Sequence, residues 1–401
     1  MCIFAGNLTS NAMKRFILTF AIACAAIFSS SAVNNPDIKY GPWVQNLTET
    51  GFTVLWKSSE KNFVFVEVAP DDGTPFEICQ RQRFYNVLHG RRLAGTFHSV
   101  KITGLEPGKA YRYRIYSQVV DNDDSAYGTD YGPLRKVSVK KEDVIRTLDR
   151  NADTCRFFMM SDIHGKDDKF KALAKGVDKT KYDFFVMNGD MMSYINDADT
   201  MLRHVFHVVP KLTAGIPTVY TRGNHETRGR DAQYFAQFCP TPSGNPYFMF
   251  RQGPVAFLIL DGGEDKPDSA PEYSGTVEYD TFREAELEWL KEVVKDPLFV
   301  EAPIKVAVMH IPALLFPDSW YAQVWLNKNF VPVLNEAGVD VMLSGHHHQH
   351  LNVKTGDCGN KFPIIANDDT DRLEFEADAN GWHIRTYDME GKLTHSYDVA
   401  K

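Results

Sequence analysis

Five short stretches collect side chains that bind divalent metals. They are Asp162 and His164 in "SDIHG", Asp190 in "NGD", Asn224 and His225 in "RGNHE", His310 in "VMHIP", and "LSGHHHQH", where His346 and His348 lie two apart. Carboxylate, amide and imidazole donors together suit iron, manganese or zinc better than calcium or magnesium, which prefer oxygen alone. Taken singly, each residue has a plainer explanation: Asp162 as a helix cap, Asn224 as a turn residue, His310 as a satisfied core histidine. Taken together they have none in packing, because Asp and His seldom end so many apolar runs without a shared task.

The elements that must position these residues are legible beside them. "CRFFMMSD", "YDFFVMNGD", "IPTVYTRGN", "IKVAVMH" and "VDVMLSGH" are nearly continuous apolar runs, each ending at one of the five stretches. Such runs predict strands covered on both faces, hence an α/β layer architecture, in which ligands gather at the carboxyl ends of the strands. "TFREAELEWLKEVVKD" predicts a helix with Phe282, Leu287 and Leu290 on its buried face, and "GWHIRTYDMEGKLTHSYDV" a hairpin turning at Glu390-Gly391. If the histidine cluster is extended, His346 and His348 point one way and His347 the other.

Residues 34 to 139 follow a different grammar, with alternating segments such as "FTVLW", "FVFVEV" and "AYRYRIYS" broken by "DDG" and "GLEPGK". This predicts an antiparallel sandwich. In "ITGLEPGKAYRYRIYS" Tyr111 and Tyr113 share one face and Arg112 and Arg114 the other, and the stretch resembles a fibronectin type III domain. A charged connector over 140–153 separates it from the domain expected over 154–401.

With 43% hydrophobic and 24% charged residues, the chain of 401 residues has the composition of a globular protein, and its length predicts two domains. Lys14 and Arg15 precede the apolar run Phe16 to Phe28, which ends in small residues, the layout of a signal peptide over 1–32. The run is too short to span a membrane, so the expected product is exported, periplasmic or secreted, and not transmembrane once the signal is removed. Ala21, where a lipid-attachment site would have Leu, argues against anchoring at Cys24. Removing 1–32 leaves 42 basic against 52 acidic residues, a net charge of −10. That balance excludes a general nucleic-acid scaffold binder, so a phosphate-bearing small molecule must meet local cationic groups. Four cysteines remain in the mature chain, enough for a disulfide suited to export, with no pairing indicated.

The ordered set "DIHG", "GD", "GNHE", a lone histidine after a strand, and "GHHH" resembles the calcineurin-like metallophosphoesterase superfamily, from about Cys155 onward. The preceding sandwich resembles the arrangement of purple acid phosphatases. The resemblance implies a four-layer αββα metallophosphoesterase sandwich preceded by an all-β fibronectin type III-like sandwich, and two metal ions, Fe, Mn or Zn, per chain. Asp162, His164, Asp190 and His348 would hold one metal, and Asp190, Asn224, His310 and His346 the other, with Asp190 bridging. The implied activity is hydrolysis of phosphomonoesters by a metal-bridging hydroxide, with His225 stabilising or protonating the leaving oxygen. Arg228 is either a phosphate contact or a surface arginine.

Two departures from purple acid phosphatases stand out. His164 makes the first motif "DxH" rather than "DxG", and Ser193 stands where the family's iron-binding tyrosine is expected, with Tyr194 one position further. The tyrosinate-iron colour of that family is therefore not expected. The rival readings are a phosphodiesterase acting on nucleotides or lipids and a metal-stabilised binding protein; the complete ligand set argues against the second. Trp320 and Trp325 in "PDSWYAQVW" read either as stacking platforms for a base or as core.

Overall fold

A computed structural model describes residues 37–137, 144–213 and 215–401. The export signal expected over 1–32 lies outside them. The N-terminal part is antiparallel: Gly51–Pro70 is long enough to serve two layers. Its first half pairs with Tyr40–Thr48 and Ala94–Ile102. Beyond a register shift between Lys57 and Asn62, its second half pairs with Arg83–Tyr85 and Ala110–Asn122. Phe52, Val54 and Trp56 from the first half and Val64 and Val66 from the second share one core with Tyr113 and Ile115. The connector expected over 140–153 is not wholly a connector, because Val144–Arg146 pairs with Ala110–Arg112 as an edge strand.

Two six-stranded sheets follow. In the first, Thr154–Met160 pairs in parallel with Phe184–Asn188, which pairs in parallel with Thr218–Thr221. Three antiparallel strands, Asp371–Asp378, Gly381–Asp388 and Leu393–Ala400, complete it. In the second, Val255–Leu260, Ile304–Met309, Val341–Ser344 and Ile364–Ala366 run parallel, flanked by antiparallel Phe248–Gln252 and Leu351–Val353. Alternation along each strand sets the layers. Phe157 and Met159 face the other sheet, where Phe157 meets Phe257 edge to face at 5.5 Å; within its own sheet Phe157 stacks on Phe184 at 5.3 Å. Phe158 and Met160 face outward onto Phe170, Leu173 and Leu202. On the far side Leu258 and Met309 pack on Leu290, Leu326 and Phe330. This is the four-layer αββα arrangement, and deleting a ring such as Phe157 would cost about 3 to 5 kcal/mol.

The helix Tyr279–Val293 differs from its expected face: Leu290 is fully buried, but Phe282 and Leu287 are half-buried and Arg283 and Glu286 take the interior. The reason is a polar network that the apolar periodicity does not register. The Arg283 guanidinium donates to the carbonyls of Gly262 and Glu264, and Glu286 accepts from the Asp261 backbone. The hairpin turns where expected, with Gly391 at φ 84° donating to Asp388 O. Cys79, Cys155, Cys239 and Cys358 are free thiols. No helix among the described residues is long and apolar enough to cross a membrane.

Candidate metal centre

Five parallel strands end on one side of the two sheets, and their next few residues deliver every ligand singled out above. Thr154–Met160 leads to the candidate ligands Asp162 and His164, Phe184–Asn188 to Asp190, and Thr218–Thr221 to Asn224 and, beside it, the candidate catalytic His225. Ile304–Met309 leads to His310, and Val341–Ser344 to His346 and His348. The chain must turn sharply at these points. Asp162, His164, Asp190, His346 and His348 all have φ between 52° and 76°, a left-handed conformation that non-glycine residues enter only when the surroundings hold them there. The extended geometry supposed for 346–348 is thus replaced by left-handed turns at both histidines. The strand has already ended at Ser344, and His347 N–H folds back onto Gly345 O at 2.9 Å.

Backbone contacts lock these turns together. Asp162 N–H donates to Gly189 O, His164 N–H to Asp190 O, and Gly345 N–H to His310 O. Gly189 allows a close approach, since a Cβ there would lie 2.5 Å from the His310 ring, and Gly223 another, where a Cβ would lie 2.2 Å from Asp190 Oδ1.

The side chains converge in overlapping clusters: Asp162, His164 and His348; His164, Asp190 and His225; Asp190, His310 and His346. Asp190 and His164 each belong to two, which places Asp190 between the two sides of the centre. One oxygen of each buried carboxylate is tied to backbone, Asp162 Oδ2 to His346 N–H at 3.0 Å and Asp190 Oδ1 to His225 N–H at 2.9 Å. Asp190 Oδ2 lies 3.0 Å from His310 Nε2, and Asp162 Oδ1 lies 3.3 Å from His348 Nε2. His310 donates from Nδ1 to Asn188 O at 2.7 Å, which turns its Nε2 lone pair to the centre. His346 donates from Nδ1 to Asn224 Oδ1 at 3.0 Å, and a carbonyl oxygen keeps a second lone pair for a cation.

Three buried atoms, Asp162 Oδ1, His310 Nε2 and His346 Nε2, make no hydrogen bond of sound geometry among the described residues, although the first two lie at ion-pair distance from His348 and Asp190. Leaving them so costs free energy that a bound cation would recover, and His164 Nε2 facing His348 Nε2 at 3.1 Å makes the same point. The residues therefore fit a pair of metals. Burial lowers the pKa of His346 to about 3 and of His164 to about 4, keeping both imidazoles neutral and ligand-competent. Burial alone would raise Asp190, but His310 and the His225 contacts override it and hold the carboxylate below its ordinary range.

His225 stands beside the cluster. Its Nδ1 donates to Ser193 O at 2.6 Å, and its Nε2 accepts from Arg228 Nη1 at 3.1 Å. Arg228 is a half-buried member of an ion pair, with Nε and Nη2 on the two oxygens of Glu264 at 2.5 and 2.8 Å. Burial opposes its charge, but Glu264 and Asp265 raise its pKa above the ordinary arginine value. His347 turns away to accept from Gln323 Nε2 at 2.6 Å, and His350 stacks on His395 at 3.6 Å. Ser193 Oγ lies 3.3 Å from His164 Nδ1, while Tyr194 is 56% exposed.

Two acidic residues escaped the sequence reading. Glu264 has no motif around it. Glu226, the last residue of "GNHE", is buried and accepts from the backbone of Asp190, Met192 and Gly223 and from Tyr220 Oη, so it frames the ligand loops. Burial, then Asp190, raises its pKa to about 7. An acid directly after the candidate ligand Asn224 and the candidate catalytic His225 was the available signal.

Residues 155–350 match the calcineurin-like phosphoesterase family. The chain is 27% identical over 181 residues to the serine/threonine-protein phosphatase CPPED1 of Homo sapiens, covering 42% of this chain and 54% of that protein. The Mus musculus protein of the same name is 25% identical over 176 residues. The chain spans about half the length of the curated relatives it matches. Its fold is similar to that of a purple acid phosphatase, PPD1, from yellow lupin (Lupinus luteus) seeds, with a TM-score of 0.65 and 13% identity over 90% of this chain and 74% of the other. Motif order, the candidate ligands at the strand ends and the family match agree in the similarity of residues 155–350 to a calcineurin-like phosphoesterase domain.

Proposed function

We propose that the chain is an exported dinuclear-metal phosphoesterase that hydrolyses phosphomonoesters. The observation that carries the reading is the convergence of Asp162, His164, Asp190, His310, His346 and His348 in overlapping clusters, with three buried donor atoms that make no hydrogen bond of sound geometry. The phosphatase names of the relatives support it. Asp162, His164, Asp190 and His348 would hold one metal and Asp190, Asn224, His310 and His346 the other, with iron, manganese or zinc suiting these donors. When bound, such a pair supplies concentrated positive charge and Lewis acidity at the strand ends.

The chain's own groups do the rest. Ser193 O fixes the His225 ring, and Arg228, held by Glu264, directs a charged N–H at the ring's free edge. This pair meets the oxygen of the departing group: Arg228 offers a donor when His225 is neutral, and His225 Nε2 offers a proton when it is charged. The layout of Lys14, Arg15 and Phe16 to Phe28 supports export, and the antiparallel pairing over Tyr40 to Asn122 supports a fibronectin type III-like unit over 34–139.

A panel of phosphomonoesters and phosphodiesters, incubated with metal-reconstituted protein, tests the reading. Hydrolysis that stops on chelation and returns with metal is expected, with monoesters preferred. His225→Ala should retain both metals and slow turnover by roughly 10² to 10⁴. Loss of a metal in that variant would reassign His225 as a ligand.

A further inference from the structure

The loop between the strand Ile304–Met309 and the helix Tyr321–Ala337 begins with the ligand His310 and ends with Trp320. The indole meets the His346 ring edge to face, with centres 4.7 Å apart at 82°, and lies nearly parallel to His347 at 6.1 Å and 27°. It nevertheless remains 47% exposed. Its place is built. Trp320 N–H donates to Gln323 Oε1 at 3.0 Å, and Gln323, itself buried, donates from Nε2 to His347 at 2.6 Å, so one amide fixes both the tryptophan backbone and the histidine beneath it.

Trp325, five residues on, faces Phe330 and the Arg283 guanidinium within the helical layer. The two tryptophans thus separate into one half-buried against the core of the helical layer and one at the rim of the metal centre. Leu315 and Phe316, on the same loop, are also exposed, at 43% and 38%. A centre that handles anions gains nothing from apolar surface at its edge unless the ligand carries apolar surface too.

We propose that Trp320 is a specificity-determining residue whose exposed indole face stacks on the organic part of the substrate, so that the site prefers phosphate esters of planar aromatic alcohols. The proposal rests on the phosphoesterase reading of the same centre. A ring on the ester keeps its phosphate at the ligand cluster while its face lies against the indole, and offset or edge-to-face packing favours an aryl over an alkyl group of similar size.

The test compares phenyl phosphate with a fluoroalkyl phosphate of matched leaving-group acidity, using the full metal-loaded chain. Trp320→Leu, which keeps apolar bulk and loses the ring, should reduce the aryl-over-alkyl ratio of kcat/KM by about five- to tenfold, and Trp320→Phe should restore most of it. A ratio unchanged in Trp320→Leu overturns the proposal. Calorimetric binding of phenylphosphonate against methylphosphonate gives a readout independent of turnover. A wild-type preference for the phenyl compound that Trp320→Leu loses supports the stacking role even if neither ester is hydrolysed, an outcome that would instead defeat the phosphoesterase reading. Equal binding of both phosphonates by the wild type overturns the stacking role even if both esters are turned over.

Discussion

Arg228 Nη1 lies 3.1 Å from His225 Nε2 while the rest of its guanidinium closes a two-point pair with Glu264. Arginine can only donate, so Nε2 accepts and the neutral ring carries its proton on Nδ1, toward Ser193 O. Glu264, fully buried and also bonded by Thr227 and Tyr273, therefore acts on His225 through Arg228.

Releasing that clamp should slow hydrolysis without emptying the centre. Glu264→Gln keeps the shape of the side chain and removes its charge, and an about tenfold loss in kcat on alkyl phosphates is expected with metal content unchanged. Because Glu264 and Arg228 act as one unit, the double variant with Arg228→Ala should be little worse than Arg228→Ala alone. Fully additive losses would separate the two roles.

Asp190→Asn should lose metal and activity together, since Asp190 belongs to clusters on both sides of the centre. Removing a group that only supports a ligand costs about 10- to 100-fold in affinity, so removing the shared carboxylate should exceed that. Elemental analysis after dialysis checks it; two equivalents of metal retained with normal turnover would refute the site.

Gly189→Ala should weaken metal binding and lower stability by about 1 to 3 kcal/mol, because the new Cβ meets the His310 ring and Gly223 Cα. Gly176→Ala is the control, at φ 77° with open space around its Cβ position. Thermal unfolding and metal titration of both variants separate backbone strain, common to the two, from the clash, confined to the first.

Iron-loaded protein should show no intense charge-transfer band in its visible spectrum. Ser193 faces His164, and Tyr194 is directed to solvent. A strong purple band abolished by Tyr194→Phe would show that this tyrosine reaches the metal.

Acid should destabilise the N-terminal unit through His98. Burial there depresses its pKa from 6.5 to about 3. The unfolded chain thus binds the proton first, so the stabilisation is complete above pH 6.5 and is lost progressively as pH falls toward the folded value. His98→Phe keeps the ring beside Trp56, and Ser58 Oγ retains Glu60 O as its acceptor. The drop in Tm between pH 7 and 5 should be smaller in this variant; an identical drop would assign the sensitivity to other groups.

The sequence by itself determined which candidate side chains lie at the strand ends and their order along the chain. Each candidate follows an apolar strand within a few positions, and parallel strands of one sheet end on the same side, which gathers the candidates within each sheet; stacking of the two sheets then brings the two sets together. It also determined the antiparallel character of residues 40–122, because alternation such as that of Tyr111 and Tyr113 against Arg112 and Arg114 is a short-range signal. What only the tertiary structure decided involves partners far apart in the chain. The left-handed turn at His346 is held by contacts from other loops, His310 O to Gly345 N–H and Asp162 Oδ2 to His346 N–H, Arg228 is aimed by Glu264, and the buried face of the helix Tyr279–Val293 is set by Arg283 and Glu286 bonding to a neighbouring loop. Trp320 and Trp325 have similar local surroundings, and only the placement of one beside His346 and the other against Phe330 separates the rim of the centre from the helical layer. Pairings of this kind carry no periodicity, so they become visible only when the strands have brought their ends together.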